Sequence, residues 1–112
     1  MARVLMIVGD FNEDLEVRFP QQALEMLGHE VHTISPGKEA GSSVVTAVHD
    51  LADKSLQSYT EDRGHTLPVT HSFSATDPKG YDGLIVPGGR AAEYQRCDEK
   101  ILTLVRHFFD SS

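Results

Sequence analysis

A chain of 112 residues that is 39% apolar and 24% charged has the composition of one folded domain, not of a disordered tail or a membrane protein. Its net charge of -7, with ten scattered basic residues, argues against nucleic acid as a partner, because phosphate binding draws on clustered Lys and Arg. The apolar start runs straight into a strand-like segment, no run nears the ~20 residues that cross a bilayer, and the single cysteine, Cys97, cannot form an internal disulfide, so a cytoplasmic protein without a membrane partner is expected.

Arg3 to Val8 is a nearly continuous Val/Leu/Ile run, the pattern of a parallel strand covered on both faces. After the loop Gly9 to Asp14, the apolar residues Phe19, Ala23, Leu24 and Leu27 recur at helical spacing and Gly28 supplies a stop. Pro20 either opens that helix or interrupts one that begins near Glu13. Glu30 to Ser35 reads as the second strand, closed by Pro36-Gly37, and completes a β-α-β unit. Weaker strand signals lie at Val44 to Val48, around Leu56 and at Leu67 to Thr70, with the polar stretch Tyr59 to His65 between them, and suggest a hairpin-like excursion. Gly83 to Val86 is a further strand, broken by Pro87-Gly88-Gly89. Asp98 then caps a helix running through Phe109, with Ile101, Leu104, Val105, Phe108 and Phe109 as its buried stripe.

Alternating strands and helices predict an α/β fold: a flavodoxin-like, doubly wound parallel sheet in three α/β/α layers. About three parallel strands is few for such a sheet, so the fold is expected to be incomplete at its C-terminal side, with residues 1–112 forming the N-terminal half of one domain and leaving an exposed strand edge.

Doubly wound folds place ligands at strand carboxyl ends, where this chain carries Gly-Asp-Phe-Asn-Glu-Asp-Leu-Glu. Asp10, Glu13, Asp14 and Glu16 would repel a phosphate, which disfavours dinucleotide and flavin-phosphate sites. A phosphoacceptor receiver would need an aspartate where Pro87 stands. Carboxylates near a helix N-terminus also simply complement its dipole, the ordinary reading for Glu13 and Asp14. Glu16, if it faces the sheet end, could instead share a proton with a thiol. At Gly88-Gly89 the missing side chains would let backbone N–H groups approach a ligand and stabilise an oxyanion, although a plain tight turn has the same signature.

Taken in order, Gly-Asp-Phe-x-Glu-Asp-x-Glu, Gln-Ala-Leu-x-Met-Leu-Gly-His-Glu-Val-His, Ala-Val-His-Asp, Arg-Gly-His and Tyr-Asp-Gly-Leu-Ile-Val-Pro-Gly-Gly-Arg-Ala-x-Glu-Tyr span nearly the whole chain and resemble the ThiJ/PfpI superfamily. No His or Cys pair has zinc-site spacing, so no metal is expected, and the resemblance implies a cofactor-independent site. In it Glu16 pairs with a nucleophilic cysteine, Gly89 gives an oxyanion amide and Glu93 completes the site across a subunit interface. Glu13, Gly88 and Arg90 match motif positions expected to contact substrate. Glyoxalase III or deglycase chemistry on 2-oxoaldehydes is the implied activity. Alternatives are a PfpI-type intracellular peptidase or a non-catalytic scaffold, and homo-oligomers or a complementing chain are the implied partners. The family's cysteine follows the strand that would come next after Ser112. Cys97 lies outside any such elbow and reads as passive. His49 and His65 fall in the Ala-Val-His-Asp and Arg-Gly-His elements, which look most like the superfamily branch with two-domain plant members, and read as pocket, interface or ordinary hydrogen-bonded histidines.

Overall fold

The computed structural model describes residues 1–111. In chain order its elements are β1 (Arg3–Ile7), α1 (Asp14–Met26), β2 (Glu30–Ile34), β3 (Ser43–Asp50), β4 (Thr60–Pro68), β5 (Gly83–Ile85), α2 (Arg90–Gln95) and α3 (Glu99–Asp110). β1 lies between β2 and β5 in a three-stranded parallel sheet, and β3 and β4 form a separate antiparallel pair. Successive side chains of a strand face opposite ways, so β1 feeds two cores. Met6 and Val8 join Val17, Val31, Val44 and Leu67 on one face, with Leu24 of α1 against them. Leu5 and Ile7 join Ile34, Phe73, Ile101 and Leu104 on the other, under α3. The three-layer α/β/α arrangement follows from that split.

Helix α1 starts where Glu13 accepts the Glu16 N–H at 3.0 Å, and Pro20 falls inside it. Pro20 therefore offers no N–H to the carbonyl of Glu16. The start also fixes the phase of the helix. Val17 is fully buried, whereas Phe19, about 200° further round, is 71% exposed. Of the expected apolar stripe, Leu24 packs on the core, while Phe19 and the C-cap Leu27 face outward. At Gly28 the backbone turns left-handed (φ +88) and His29 N–H closes onto Leu24 O at 3.0 Å, the expected stop.

The hairpin-like excursion is real, but its second strand differs from expectation. Leu56 belongs to the connection between β3 and β4 and is half-exposed, whereas the polar stretch after Tyr59 is itself β4. Cross-strand pairing from Val45↔Thr66 to Asp50↔Thr60 organises that stretch, with a bulge between Val45 and Ala47. Helix α3 is capped by Asp98, which accepts the Ile101 N–H at 3.1 Å. Its buried residues are Ile101 and Leu104, and Val105 and Phe108 pack partly. Phe109 departs from the expected buried stripe: it is 77% exposed, beside the outer side of β5.

The two edges of the sheet differ. Beyond β2, Thr70 N–H donates to Thr33 O and Thr33 N–H to the Thr70 hydroxyl, so residues 68–71 cover that side. Among the described residues no strand pairs with the outer side of β5. Apolar grooves flank that open edge, one lined by Leu15, Phe19, Pro20 and Val86, the other by Val105, Phe108 and Phe109.

On β2, His32 stacks on His71 with ring centroids 3.7 Å apart, meets the Tyr81 hydroxyl at 2.8 Å through Nδ1 and faces Glu30 at 3.3 Å through Nε2. Burial, then the neighbouring His71, hold its pKa below the ordinary 6.5, against the opposing pull of Glu30. The unfolded chain takes up that proton first, so the neutral imidazole's contribution is complete above about pH 6.5 and drains away as pH falls through and below that value. Urea midpoints are expected to drop between about pH 7.5 and about pH 5.5, with a shallower slope in His32→Gln. The carboxyls of Asp14 and Glu30 are both held below their ordinary values and titrate at more acidic pH, outside that window.

Candidate active site

The loop between β1 and α1 is stitched between two neighbours. On the hairpin side, Phe11 N–H donates to Val45 O (2.7 Å) and Ala47 N–H to Asn12 O (2.8 Å). Toward the corner after β5, Glu13 N–H donates to Gly88 O (3.1 Å) and Arg90 N–H to Phe11 O (3.1 Å). Held from both sides, Phe11 adopts a left-handed conformation (φ 68), which costs on the order of 1 kcal/mol or more and persists only where the surroundings over-determine it.

Asn12, fully buried, is the clamp. Its Oδ1 accepts the Gly9 N–H at 2.8 Å, and its Nδ2 donates to Pro87 O (3.1 Å) and Gly88 O (2.9 Å). Gln95, also buried, ties α2 back to Val8 O at 2.8 Å, and the Tyr94 hydroxyl donates to Asp10 O at 3.0 Å. Asn12→Ala is expected to destabilise the fold by about 1–3 kcal/mol for each buried group left unpaired, as a shifted urea midpoint would show.

These restraints bring Glu16, Gly88 and Gly89 together. The Gly88 N–H donates to Glu16 Oε1 at 3.2 Å. Gly89 sits at φ +94 as the N-cap of α2, and its amide, between two ladder bonds, has no acceptor among the described residues. Glu13 lies beside them with its carboxylate used as the α1 cap. Arg90 opens α2, its guanidinium over the Phe11 ring at 5.7 Å and paired with Glu61 of β4. Glu93 is exposed in the first turn of α2. Cys97 is exposed in the connection from α2 to α3. No group of three or more metal-ligating side chains converges among the described residues, and no helix there is long and apolar enough to cross a membrane.

The family model of the DJ-1/PfpI family matches residues 2–112. The chain belongs to the DJ-1/PfpI family. Protein DJ-1 homolog D of Arabidopsis thaliana is 47% identical over 94% of this chain and 26% of its own length. Deglycase TK1284 of Thermococcus kodakarensis is 32% identical over 96% of this chain and 54% of its own. Deglycase PfpI of Pyrococcus furiosus is 30% identical with the same coverages. The chain thus spans from about a quarter to about half the length of these relatives. Solved structures share the fold. A two-domain Anabaena variabilis protein with DJ-1/ThiJ/PfpI-like and ferritin-like domains superposes with a TM-score of 0.72 at 16% identity, over 99% of this chain and 27% of that one. Oxidized Toxoplasma gondii DJ-1 gives 0.70 at 20% identity, over 96% and 50%. The flavodoxin-like α/β expectation holds for this DJ-1/PfpI chain.

Several contacts around the DJ-1/PfpI corner are not readable from the sequence. Asn12 was readable only as one more polar residue in an acidic loop, although an amide, both donor and acceptor, is what a backbone clamp needs. Asp14, largely buried, takes the Thr46 hydroxyl and His65 Nδ1 (3.1 Å) on one oxygen. Burial opposes its ionisation, but Thr46, His65 and Arg18 outweigh that and hold its carboxyl below the usual aspartate value. His49 stacks on Tyr59 at 3.9 Å and faces Glu61 at 3.7 Å. The Asp14 pairs join residues 32 and 51 apart in sequence, and the His49 pairs cross between β3 and the β4 side of the hairpin, which spacing alone does not reveal.

Proposed function

We propose that this chain supplies the proton partner and the oxyanion-hole glycine of a cysteine-dependent, cofactor-independent enzyme acting on 2-oxoaldehydes, of the glyoxalase III or deglycase kind. The cysteine elbow comes from polypeptide seated at the open edge of β5. The observation that carries this reading is the contact of Glu16 with the Gly88 amide, beside an uncommitted Gly89 N–H and next to that edge. The deglycase names of relatives at 30–32% identity support it.

In this scheme the thiolate adds to the aldehyde carbon and the new oxyanion lies against the Gly89 N–H. Glu16 carries a proton from that carbon toward the adjacent carbonyl, and water releases the resulting thioester as a 2-hydroxy acid. The net change is addition of one water to the oxoaldehyde, so no external oxidant is needed. Glu93, exposed on α2, is free to approach a neighbouring subunit in a homo-oligomer.

The test is lactate formation from methylglyoxal by the full-length product of the reading frame, with and without thiol alkylation. Lactate that disappears on alkylation is expected. No lactate, or lactate insensitive to alkylation, would reject the reading, and casein cleavage without methylglyoxal turnover would favour the peptidase alternative.

A further inference from the structure

Arg90 is the one cation that the sequence places at the diglycine corner, and on its own it would draw anionic substrates. The hairpin answers it. Glu61, on β4, pairs one carboxylate oxygen with Arg90 Nη2 while its side chain is 17% exposed. The other oxygen, Oε2, is buried without a hydrogen-bond partner, 3.7 Å from an equally unpartnered His49 Nε2. Arg90, Glu61, Phe11 and Asp62 line a cavity of about 290 Å³ together with Ala47 and Arg63. Two acids therefore face two bases there, and the guanidinium is further held over the Phe11 ring.

We infer that Glu61 is a specificity-determining residue. By neutralising and orienting Arg90 it makes the site select uncharged 2-oxoaldehydes over aldehydes that carry a carboxylate. The assignment rests on the function proposed above. Paired with Glu61 the guanidinium adds no net positive charge, and a second carboxylate would meet Glu61 and Asp62 as like charges, whereas the N–H groups it keeps on a side chain 59% exposed can still serve a neutral carbonyl. The acidic residues of the loop after β1, Asp10, Glu13, Asp14 and Glu16, act in the same direction.

The experiment compares, in the full-length protein, the Ki of glyoxylate as an inhibitor of methylglyoxal turnover with the KM of methylglyoxal. Glyoxylate presents the same aldehyde carbon beside a carboxylate. In Glu61→Gln the Ki/KM ratio is expected to fall on the order of tenfold, the effect of releasing a charged donor. In Arg90→Gln, which leaves Glu61 unpaired, it is expected to rise. A ratio unchanged in both variants, or moved in the opposite sense in either, overturns the inference. If Glu61→Gln fails to fold, the sign in Arg90→Gln decides. Absence of methylglyoxal turnover by the unaltered protein rejects the proposed function instead, and this inference with it.

Discussion

Glu16→Gln in the full-length protein is expected to lower kcat for methylglyoxal by about 100- to 10,000-fold, the range that a positioned proton-transfer group supplies. The amide keeps the size of the carboxylate and can still accept the Gly88 N–H, so the fold should be retained. What it loses is the ability to take up and return a proton. A change confined to KM, with kcat intact, would mean that Glu16 only helps to bind substrate. The position of Glu16 favours the catalytic outcome, because it sits in the first turn of α1, with its Oε1 on the corner amide and its side chain bordering the groove beside β5.

Gly89→Ala should be the most damaging single methyl in the molecule. Gly89 has φ +94 and ψ -168, a combination that essentially only glycine occupies. A Cβ there would stand 2.5 Å from Glu13 N and 2.9 Å from Phe11 O, both backbone atoms pinned by the ladder bonds of the β1–α1 loop. Strain and overpacking of about 1–3 kcal/mol each are expected, read as a lowered urea midpoint. Gly88→Ala makes the instructive contrast. Its Cβ would meet Glu16 Oε1 at 2.6 Å, the far end of a flexible side chain. That variant should fold nearly as well and lose activity through displacement of Glu16. Equal stability of the two variants would contradict the assigned geometry.

Much of this arrangement is legible in the sequence. The run from Leu5 to Val8 carries enough Val, Leu and Ile to mark a strand buried on both faces, and each of its residues is fully buried. Gly28 and Asp98 announced helix ends because their chemistry acts locally. The diglycine corner was legible as a place of close backbone approach for the same reason. The short helix α2 was not foreseen, since six residues give too little periodicity. Of the strand at Thr60–Pro68 only the end near Leu67 is readable, because Glu61, Asp62 and Arg63 mask any alternation and the register is set by the partner strand. The phase of α1 misleads for Phe19 because an apolar residue that faces the open side of β5 looks, in sequence, like core, and for Leu27 because it falls on the exposed C-cap of the helix. Phe109 on α3 repeats that ambiguity. Glu61 and Asn12 were silent because their roles lie in contacts with distant segments.

The most direct measurement is a crystal structure of the full-length protein, reading the separation between the Glu16 carboxylate and the sulfur of the nucleophilic cysteine. A sulfur next to the outer edge of β5, within about 3.5 Å of that carboxylate, is what the proposed site predicts. A cysteine seated elsewhere in the fold, with Glu16 and the Gly89 amide facing only solvent or apolar side chains, would contradict it.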